Sequence, residues 1–596
     1  MSKNTKWVQP DQIDHESSVQ IQKLCAELKI DKLVLEILHK RGISERSKVI
    51  SFLGPQLADL PGPFLMSGMD HAVQILSEGL QNNQEVLVWG DYDADGVTGT
   101  ALLVDFLTGH GWDVRHHIPN RLREGYGLNI AGLEQYAAEM RSETKILVTV
   151  DNGISAHEEI TRARELGFRV IVSDHHQPPQ SPVSADAILN PKQEQCNFPD
   201  KNLAGVGVAF YLVMGLRSHL TSIGFYHSQT PPNLKILLDL VALGTVADLV
   251  PLTGVNRIMV KAGLEVIRKG ERPGIRALLD KAGLLDTRIR GEDISFALAP
   301  RLNAAGRLGQ PLVALSLLLA NNTARARLLS KKLEQLNSTR KDLGESVQIN
   351  ALKSQTGQAE DRAVVMACGD FHVGVIGIAA SRLVDQFNKP TIIFSEQLDR
   401  QGEKRLLVGS GRSVPGIDLH QALTECSEWL LRFGGHSMAA GMTIDAGNYA
   451  SFTIALSDAI GRQASHASPI RSVTIDAEIT VGNLFVIERL QDLQLLEPHG
   501  QGNPQPIFRD PNVTVRQLRT VGANNEHLQL TLDRKNNSQP LRGIGFRLGR
   551  RCDEIVTGDE ASMVYAPTLN RFRGKETWDV RAEDIKVSEQ PPVLSE

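Results

Sequence analysis

Asp91, Asp93 and Asp95 stand at alternate positions in Gly90-Asp-Tyr-Asp-Ala-Asp-Gly96. Carboxylates this close repel one another unless a cation lies between them, so the stretch calls for divalent metal. A second acidic strand end, Asp151-Asn152-Gly153, and a third, Asp174-His175-His176, follow within about ninety residues. Asp248 closes a later Gly-Thr-Val-Ala-Asp run. Imidazole and carboxylate together are ligands for Mn²⁺ rather than for Mg²⁺, which prefers oxygen and retained waters. Asp91 to Gly96 also matches the start of a calcium-binding EF-hand loop, but that loop requires Glu at its twelfth position. Leu102 stands there, and the segment before Asp91 reads as strand rather than helix.

The elements that must carry these residues are legible. Val86-Leu-Val-Trp89 is an apolar run fit for a strand buried on both faces, central in a parallel sheet, with a helical pattern from Val97 to about Leu107. Strand Lys145–Val150, a helix from about Ala156 to Leu166 and strand Arg169–Ser173 repeat the alternation. Polar residues at each strand's carboxyl end make this a doubly wound sheet with one active edge. Val114–Gly127 is an extended segment leading into a basic, aromatic loop, and residues 1 to about 80 read as helical and turn-rich. His116-His117 lacks a nearby carboxylate in sequence and is read as structural or substrate-adjacent.

Beyond a mainly helical stretch, Ala299–Arg307 and Val408–Ser413 read as loops. Between them Thr323 is expected to cap a long connecting helix whose apolar stripe includes Leu329, Leu333, Leu336, Leu343 and Val347. Arg340 occupies a position of that stripe where an apolar residue belongs. It either snorkels at the stripe's edge, the plainer reading, or turns a guanidinium toward an interdomain groove. A second α/β unit follows, with strands at 363–367 and 391–394 around a helix opening at Gly374. From about Ile470 the period changes to two, in Val473/Ile475, Val513/Val515 and Leu528/Leu530/Leu532, which suggests a small β-barrel of the OB type.

Composition bounds the rest. The 596 residues allow three to five domains, and the net charge of -5 means that any polyanion site must be a local groove. Five scattered cysteines without a CxxC pair fit a reducing compartment and argue against structural zinc. A polar amino terminus and the lack of a long apolar run give the expectation of a cytoplasmic protein.

GDYDADG, VTVDNG, SDHH and GTVAD, in that order, resemble the DHH phosphoesterase superfamily. APRLNAAGRL, HVGVIGIAASRL, GSGRS and FGGHSMAAGM narrow the resemblance to its RecJ family of bacterial single-strand-specific exonucleases, over essentially the whole chain. Phe371 departs from the pattern, standing where a Trp is expected. The resemblance implies a DHH catalytic domain with a helical lead-in (1–310), connecting helices (311–357), a DHHA1 domain (358–461), an OB-like domain (468–587) and a tail (588–596). It implies 5′-to-3′ hydrolysis of single-stranded DNA to 5′-mononucleotides, in recombination and repair, with a helicase and a single-strand-binding protein as partners.

Two ions, Mn²⁺ or Mg²⁺, would stand about 3.5–4 Å apart. Strand-end placement combined with the resemblance makes Asp151 the bridging ligand, Asp93 a ligand of one ion, and Asp95, His175 and Asp248 ligands of the other. Asp91 is an additional ligand or supports one, and Asp174 orients the histidines. His176 donates to the scissile phosphate or the leaving oxygen, or else orients a ligand. Arg121, Tyr126, Arg301, Asn303, Arg307, Ser410, Arg412 and His436 are expected to hold the substrate, each arginine having a surface ion pair as its plainer reading. On the barrel, Arg516, Arg519, Arg547, Arg571, Arg573 and Lys575, with Phe572 and Trp578 interleaved, would track a single strand. Two other readings compete. A small-substrate phosphodiesterase needs no barrel, and an inert binding clamp needs no complete metal set.

Overall fold

The structure is a computed structural model that describes residues 5–227, 229–354, 363–399, 402–464, 472–522, 524–534, 537–572 and 575–587. Its chain divides into two compact units, one spanning 57–469 with 500–502, the other 2–56, 470–499 and 503–596.

In the first unit the apolar run becomes β1 (Val86–Trp89), followed by α1 (Ala94–Gly109), β2 (Val114–His117), β3 (Lys145–Thr149), α2 (His157–Glu165), β4 (Phe168–Ser173) and β5 (Ala187–Leu189). The strands form one parallel sheet in the order β2-β1-β3-β4-β5. Every residue of β1 and β3 is buried, which is why both read as continuous apolar runs rather than alternating ones. Burial of each such side chain contributes roughly 1.5–3 kcal/mol. Strand order reverses between β1 and β3, and the crevice at the carboxyl ends of such a pair is where open α/β sheets bind ligands. Asp91–Asp95 leave β1 and Asp151 leaves β3, so they face one another across that crevice. Two helices back the crevice, α3 (Gly205–Ser222) and α4 (Leu238–Ala247).

The segment expected as a loop at 299–307 is a helix, α5 (Ala299–Arg307). Pro300 is tolerated in its first turn, where a missing N–H costs nothing. The long connecting helix is α6 (Thr323–Ser354), and its cap is Asn322 rather than Thr323: the Asn322 side chain accepts from the amide of Arg325 at 2.9 Å. The second α/β layer comprises β6 (Val365–Gly369), α7 (Val373–Phe387), β7 (Thr391–Leu398), β8 (Arg405–Arg412), β9 (Arg432–His436) and β10 (Ala439–Asp445). Its sheet runs β9-β10-β8-β7-β6, parallel only between β6 and β7. The supposed loop Val408–Ser413 therefore lies mostly in a strand. Its glycines serve packing: a Cβ on Gly409 would stand 2.5 Å from the ring of Phe394.

In the second unit, strands 508–521, 527–534, 537–545, 560–572 and 575–587 make a sheet that closes by pairing 508–521 with 560–572, the OB-like barrel. The helical lead-in, expected with the catalytic domain, is divided: residues up to 56 belong here, while Met69–Gln81 packs in the core of the first unit. Ile21, Leu24, Val34, Leu38 and Phe52 share one core with Phe508, Leu530, Tyr565 and Ile585. Periodicity shows that a helix has an apolar face but not which partner covers it. All five cysteines are free, and among the described residues no helix is long and apolar enough to cross a membrane. Arg573 and the tail 588–596 lie outside the described residues.

Candidate metal centre and substrate cavity

The crevice gathers Asp91, Asp93, Asp95, Asp151, His175, His176 and Asp248. Their ligand atoms fall into three overlapping groups, each within 4.8 Å: Asp91, Asp93 and Asp151; Asp95, His175 and Asp248; Asp151, His175 and His176. His175 Nε2 stands 3.0 Å from Asp151 Oδ1, 3.6 Å from Asp248 Oδ2 and 3.9 Å from Asp95 Oδ2.

The backbone fixes each ligand. Asp93 caps α1, its Oδ1 accepting from the amides of Asp95 and Gly96 at 2.9 and 3.1 Å, which leaves Oδ2 for another role. Both oxygens of Asp95 accept from the first turn of α3, from Gly205 N at 2.7 Å and Val206 N at 2.8 Å. Asp151 holds φ at +64°, a conformation that costs a residue with a Cβ on the order of 1–3 kcal/mol. Asp174 accepts from the amides of Ile154, His175 and His176 and from His176 Nδ1 at 2.8 Å.

Electrostatics show what this crevice requires. Burial and then the neighbouring carboxylates push Asp91, Asp95 and Asp151 well above the carboxylate range. Burial and then Asp93 push Asp248 up to about 7. Burial and then the adjacent His176 lower His175 to about 4, so its imidazole is neutral and able to ligate. Burial also disfavours charge on His176, but the Asp174 carboxylate outweighs it and holds that imidazole above its ordinary value. Asp91 Oδ1, Asp151 Oδ1 and His175 Nε2 are buried without a hydrogen-bond partner. Clustered acids, a neutral imidazole and orphaned acceptors aimed at one another are the donor set of a divalent-cation site.

Beside this centre opens a cavity of about 910 Å³, lined by Tyr92, Arg121, Tyr126, Phe371, Ser410 and Phe433 among others. Arg121 lies over the Tyr92 ring at 5.3 Å, and Tyr126 donates to the Asp151 carbonyl at 3.1 Å. Arg412 donates to Ser410 Oγ at 3.1 Å, and both face α7 at Gly377, where a Cβ would stand 2.9 Å from each side chain. Arg307 is lowered to about 10, by burial first and then by Arg121, Arg340 and Arg412 around it.

Of the expected substrate residues, Arg121, Tyr126 and Ser410 line this cavity, and Arg301, Asn303, Arg307, Arg412 and His436 do not. Arg301 turns away to Glu334, at 2.6 Å, and to the Ala297 carbonyl, because a helix rather than a loop sets its direction. Asn303 Oδ1 accepts from the amide of Ala94 at 2.8 Å, pinning the aspartate loop. His436 ends β9 exposed and outside the cavity lining. His117, expected to lack a nearby carboxylate, has one seven residues on, Glu124 at 2.8 Å. On the barrel, Arg516 and Arg571 pair with Asp533 and Glu576, and Trp578 packs on the barrel core.

Asn190 was missed. It is buried, donating from Nδ2 to the His176 carbonyl at 2.9 Å and accepting at Oδ1 from the Lys192 amide at 2.8 Å, so it locks the di-histidine turn. Its only signal is an Asn-Pro pair, which sequence reading takes for an ordinary turn.

Three family models match: the DHH family N-terminal domain over residues 85–245, the DHHA1 domain over 360–462 and the RecJ OB domain over 475–584. The single-stranded-DNA-specific exonuclease RecJ of Haemophilus influenzae is 37% identical over 543 residues, spanning 89% of this chain and 92% of that protein. This chain belongs to the RecJ family. The Escherichia coli RecJ is 37% identical over 533 residues, spanning 87% and 90%. Among solved structures, the RecJ of Thermus thermophilus in complex with Mn²⁺ superposes with a TM-score of 0.81 at 29% identity, covering 99% of this chain and 81% of that one. A RecJ exonuclease bound to manganese covers 70% of this chain and all of that one, with a TM-score of 0.58 at 33% identity.

Proposed function

We propose that this RecJ-family chain is a metal-dependent nuclease that hydrolyses single-stranded DNA from its 5′ end and releases 5′-mononucleotides. The observation that carries this reading is the pairing of a divalent-cation donor set with a cation-lined cavity beside it. When bound, two Mn²⁺ or Mg²⁺ ions would polarise the scissile phosphate and acidify the attacking water. Asp151 and His175 each belong to two of the three ligand groups, and Asp151, the one carboxylate so shared, is the residue that would join them. Asp91 and Asp93 complete one side; Asp95, His175 and Asp248 complete the other. His176, whose protonated form Asp174 favours, donates to a phosphate oxygen or to the departing 3′ oxygen.

Direction cannot come from the ions, which treat any phosphodiester alike. It comes from Ser410, Arg412, Arg121 and Arg307, whose hydroxyl and guanidinium forks suit the dianion of a terminal 5′-phosphate. Phe371, Tyr92 and Tyr126 offer faces on which a base can stack. The barrel unit adds contacts to the trailing strand. The same reading places the activity in the cytoplasm, in DNA recombination and repair, beside a helicase and a single-strand-binding protein.

Time courses with Mn²⁺ on single strands labelled at either end test the reading. Early release of a 5′-labelled mononucleotide is expected, with blunt duplex resistant. Arg412→Ala should erase the preference for 5′-phosphorylated over 5′-hydroxyl ends. Early release of the 3′ label, or equal cutting of blunt duplex, overturns it.

A further inference from the structure

The turn after β5 brings a cation to the metal centre that neither the ligand set nor the substrate cavity uses. β5 pairs with β4, and the Asp174 amide donates to the Leu189 carbonyl at 3.0 Å. Residues 190–192 therefore continue beside Asp174-His175-His176. Asn190 fastens this turn through the His176 carbonyl and the Lys192 amide, and Pro191 is buried. Lys192 thus starts from a fixed backbone and is itself half-buried.

The charge of Lys192 is felt by two expected ligands of the same ion. Burial and Asp93 raise Asp248, and Lys192 pulls it the other way. Burial and His176 lower His175, and Lys192 adds to the lowering while Asp174 resists it. These two ligands leave different elements, β4 and the end of α4, and stand 3.6 Å apart. A cation that bears on both lies on the side of Asp95, His175 and Asp248. Across the centre, burial and Asp93 raise Asp91, and the cations that oppose them there are His176 and Arg121. Among the described residues, the Lys192 ammonium has neither a hydrogen bond nor an ion pair.

A half-buried ammonium this near a divalent-cation site is unfavourable in the free protein, because it loses hydration and repels the ion. A phosphate set between lysine and ion relieves both. We propose that Lys192 is a further catalytic residue, its ammonium holding a non-bridging oxygen of the scissile phosphate on the side of Asp95, His175 and Asp248. This rests on the reading above. Until the strand arrives, the same charge opposes the loading of a cation at those three ligands, so the strand and that cation strengthen each other's binding. A compact charge on a flexible stem suits a phosphorus whose geometry inverts during displacement.

The test uses the full-length protein with Lys192→Met and Lys192→Arg, and melting curves to confirm folding. Mn²⁺ titration calorimetry without DNA should show the weaker binding event tightened roughly threefold to tenfold in Lys192→Met. Turnover of a 5′-phosphorylated 12-mer at saturating Mn²⁺ should fall roughly tenfold to a hundredfold in the same variant. Lys192→Arg should recover most of the turnover and the weak Mn²⁺ binding. A 12-mer with methylene in place of the first linking 3′ oxygen cannot be cut. It should tighten that Mn²⁺ event in the wild type and clearly less in Lys192→Met. Slower turnover with weaker Mn²⁺ binding would make Lys192 a mere prop of the ligands and overturn the proposal, as would normal turnover. If the wild type leaves the ordinary 12-mer intact, the proposed function fails instead, and the uncleavable strand still decides the fate of Lys192.

Discussion

Gly205 and Asp151 are fitted to one another: a Cβ on Gly205 would stand 2.6 Å from Asp151 Cβ and 2.8 Å from its Oδ1. The first residue of α3 is thus the wall against which the central carboxylate rests, while its amide donates to Asp95. Two aspartates from different strand ends are set by one glycine.

Gly205→Ala is therefore expected to displace Asp151 and lower turnover by about a hundredfold, the usual cost of misplacing a reacting group by an ångström. Gly109→Ala, at the end of α1 with open space around it, is the control and should leave turnover near wild type. Circular dichroism and melting curves of both variants check that the fold survives. Near-normal turnover by Gly205→Ala would mean that Asp151 need not be where it is.

Asp151→Asn keeps the size of the side chain and tolerates the left-handed backbone at φ +64°. Its turnover should fall by about a hundredfold to a thousandfold. Mn²⁺ titration calorimetry should show both binding events disturbed, with single-strand binding retained. Asp91→Asn should keep clearly more activity. The opposite ranking would exchange the roles of these two residues.

The carboxylate cluster makes the metal-free protein sensitive to pH. Asp248 has a folded value of about 7 against an ordinary 3.8. A carboxyl raised on folding favours the fold while protonated, so its contribution is complete below 3.8 and is lost as pH rises through about 7. Asp91, Asp95 and Asp151 act with the same sign. His175 acts in the opposite sense, but its values, about 4 folded and 6.5 ordinarily, place its loss on the acid side. Between about pH 6.5 and 8 the Tm of metal-stripped protein should fall by on the order of a few degrees. Mn²⁺ should abolish the fall, and Asp248→Asn should reduce it. A flat or rising Tm in stripped protein contradicts this account.

The strand-end residues were legible in the sequence because a parallel sheet converts order along the chain into position along one edge. Asp91, Asp151 and Asp174 end three successive apolar runs, and such runs have few alternatives. Arg301 was misread because Ala-Pro-Arg-Leu-Asn-Ala-Ala-Gly-Arg carries loop punctuation yet lies in a helix held by its neighbours. Ser410 and Arg412 were identified within the wrong element, since glycines that make room for Phe394 look like those that make a turn. His436 was drawn in by its glycine-rich surroundings, which belong to an exposed edge strand. Asn190 and Gly205 act through backbone groups distant in sequence, and no local pattern announces that.

The lead-in helices give a modular prediction. A truncation ending near Gly461 removes the barrel but leaves residues 15–53, whose apolar faces are covered by the barrel's core. It should aggregate. Removing 1–56 as well should restore a monodisperse protein that keeps the catalytic residues, binds long single strands more weakly and shows a flatter salt dependence. Size-exclusion chromatography and salt titrations would check this. Equal affinity and slope with and without the second unit would take the barrel out of the substrate path.

The shared core of residues 21–53 with residues 508–585 also sets a timetable for biosynthesis. During translation the helices at 15–53 emerge first, yet the strands that cover them are made roughly 450 residues later. At about 5–20 residues per second, that interval is on the order of half a minute or more. Through it the apolar faces of Ile21, Val34 and Leu38 stay open while a complete catalytic unit folds between the two halves of their domain. Such a long-range closure is slow and prone to misassembly. Nascent chains stalled before residue 508 should therefore be cut by protease within 15–53 while residues 86–173 resist, and the barrel must be the last part of the molecule to mature.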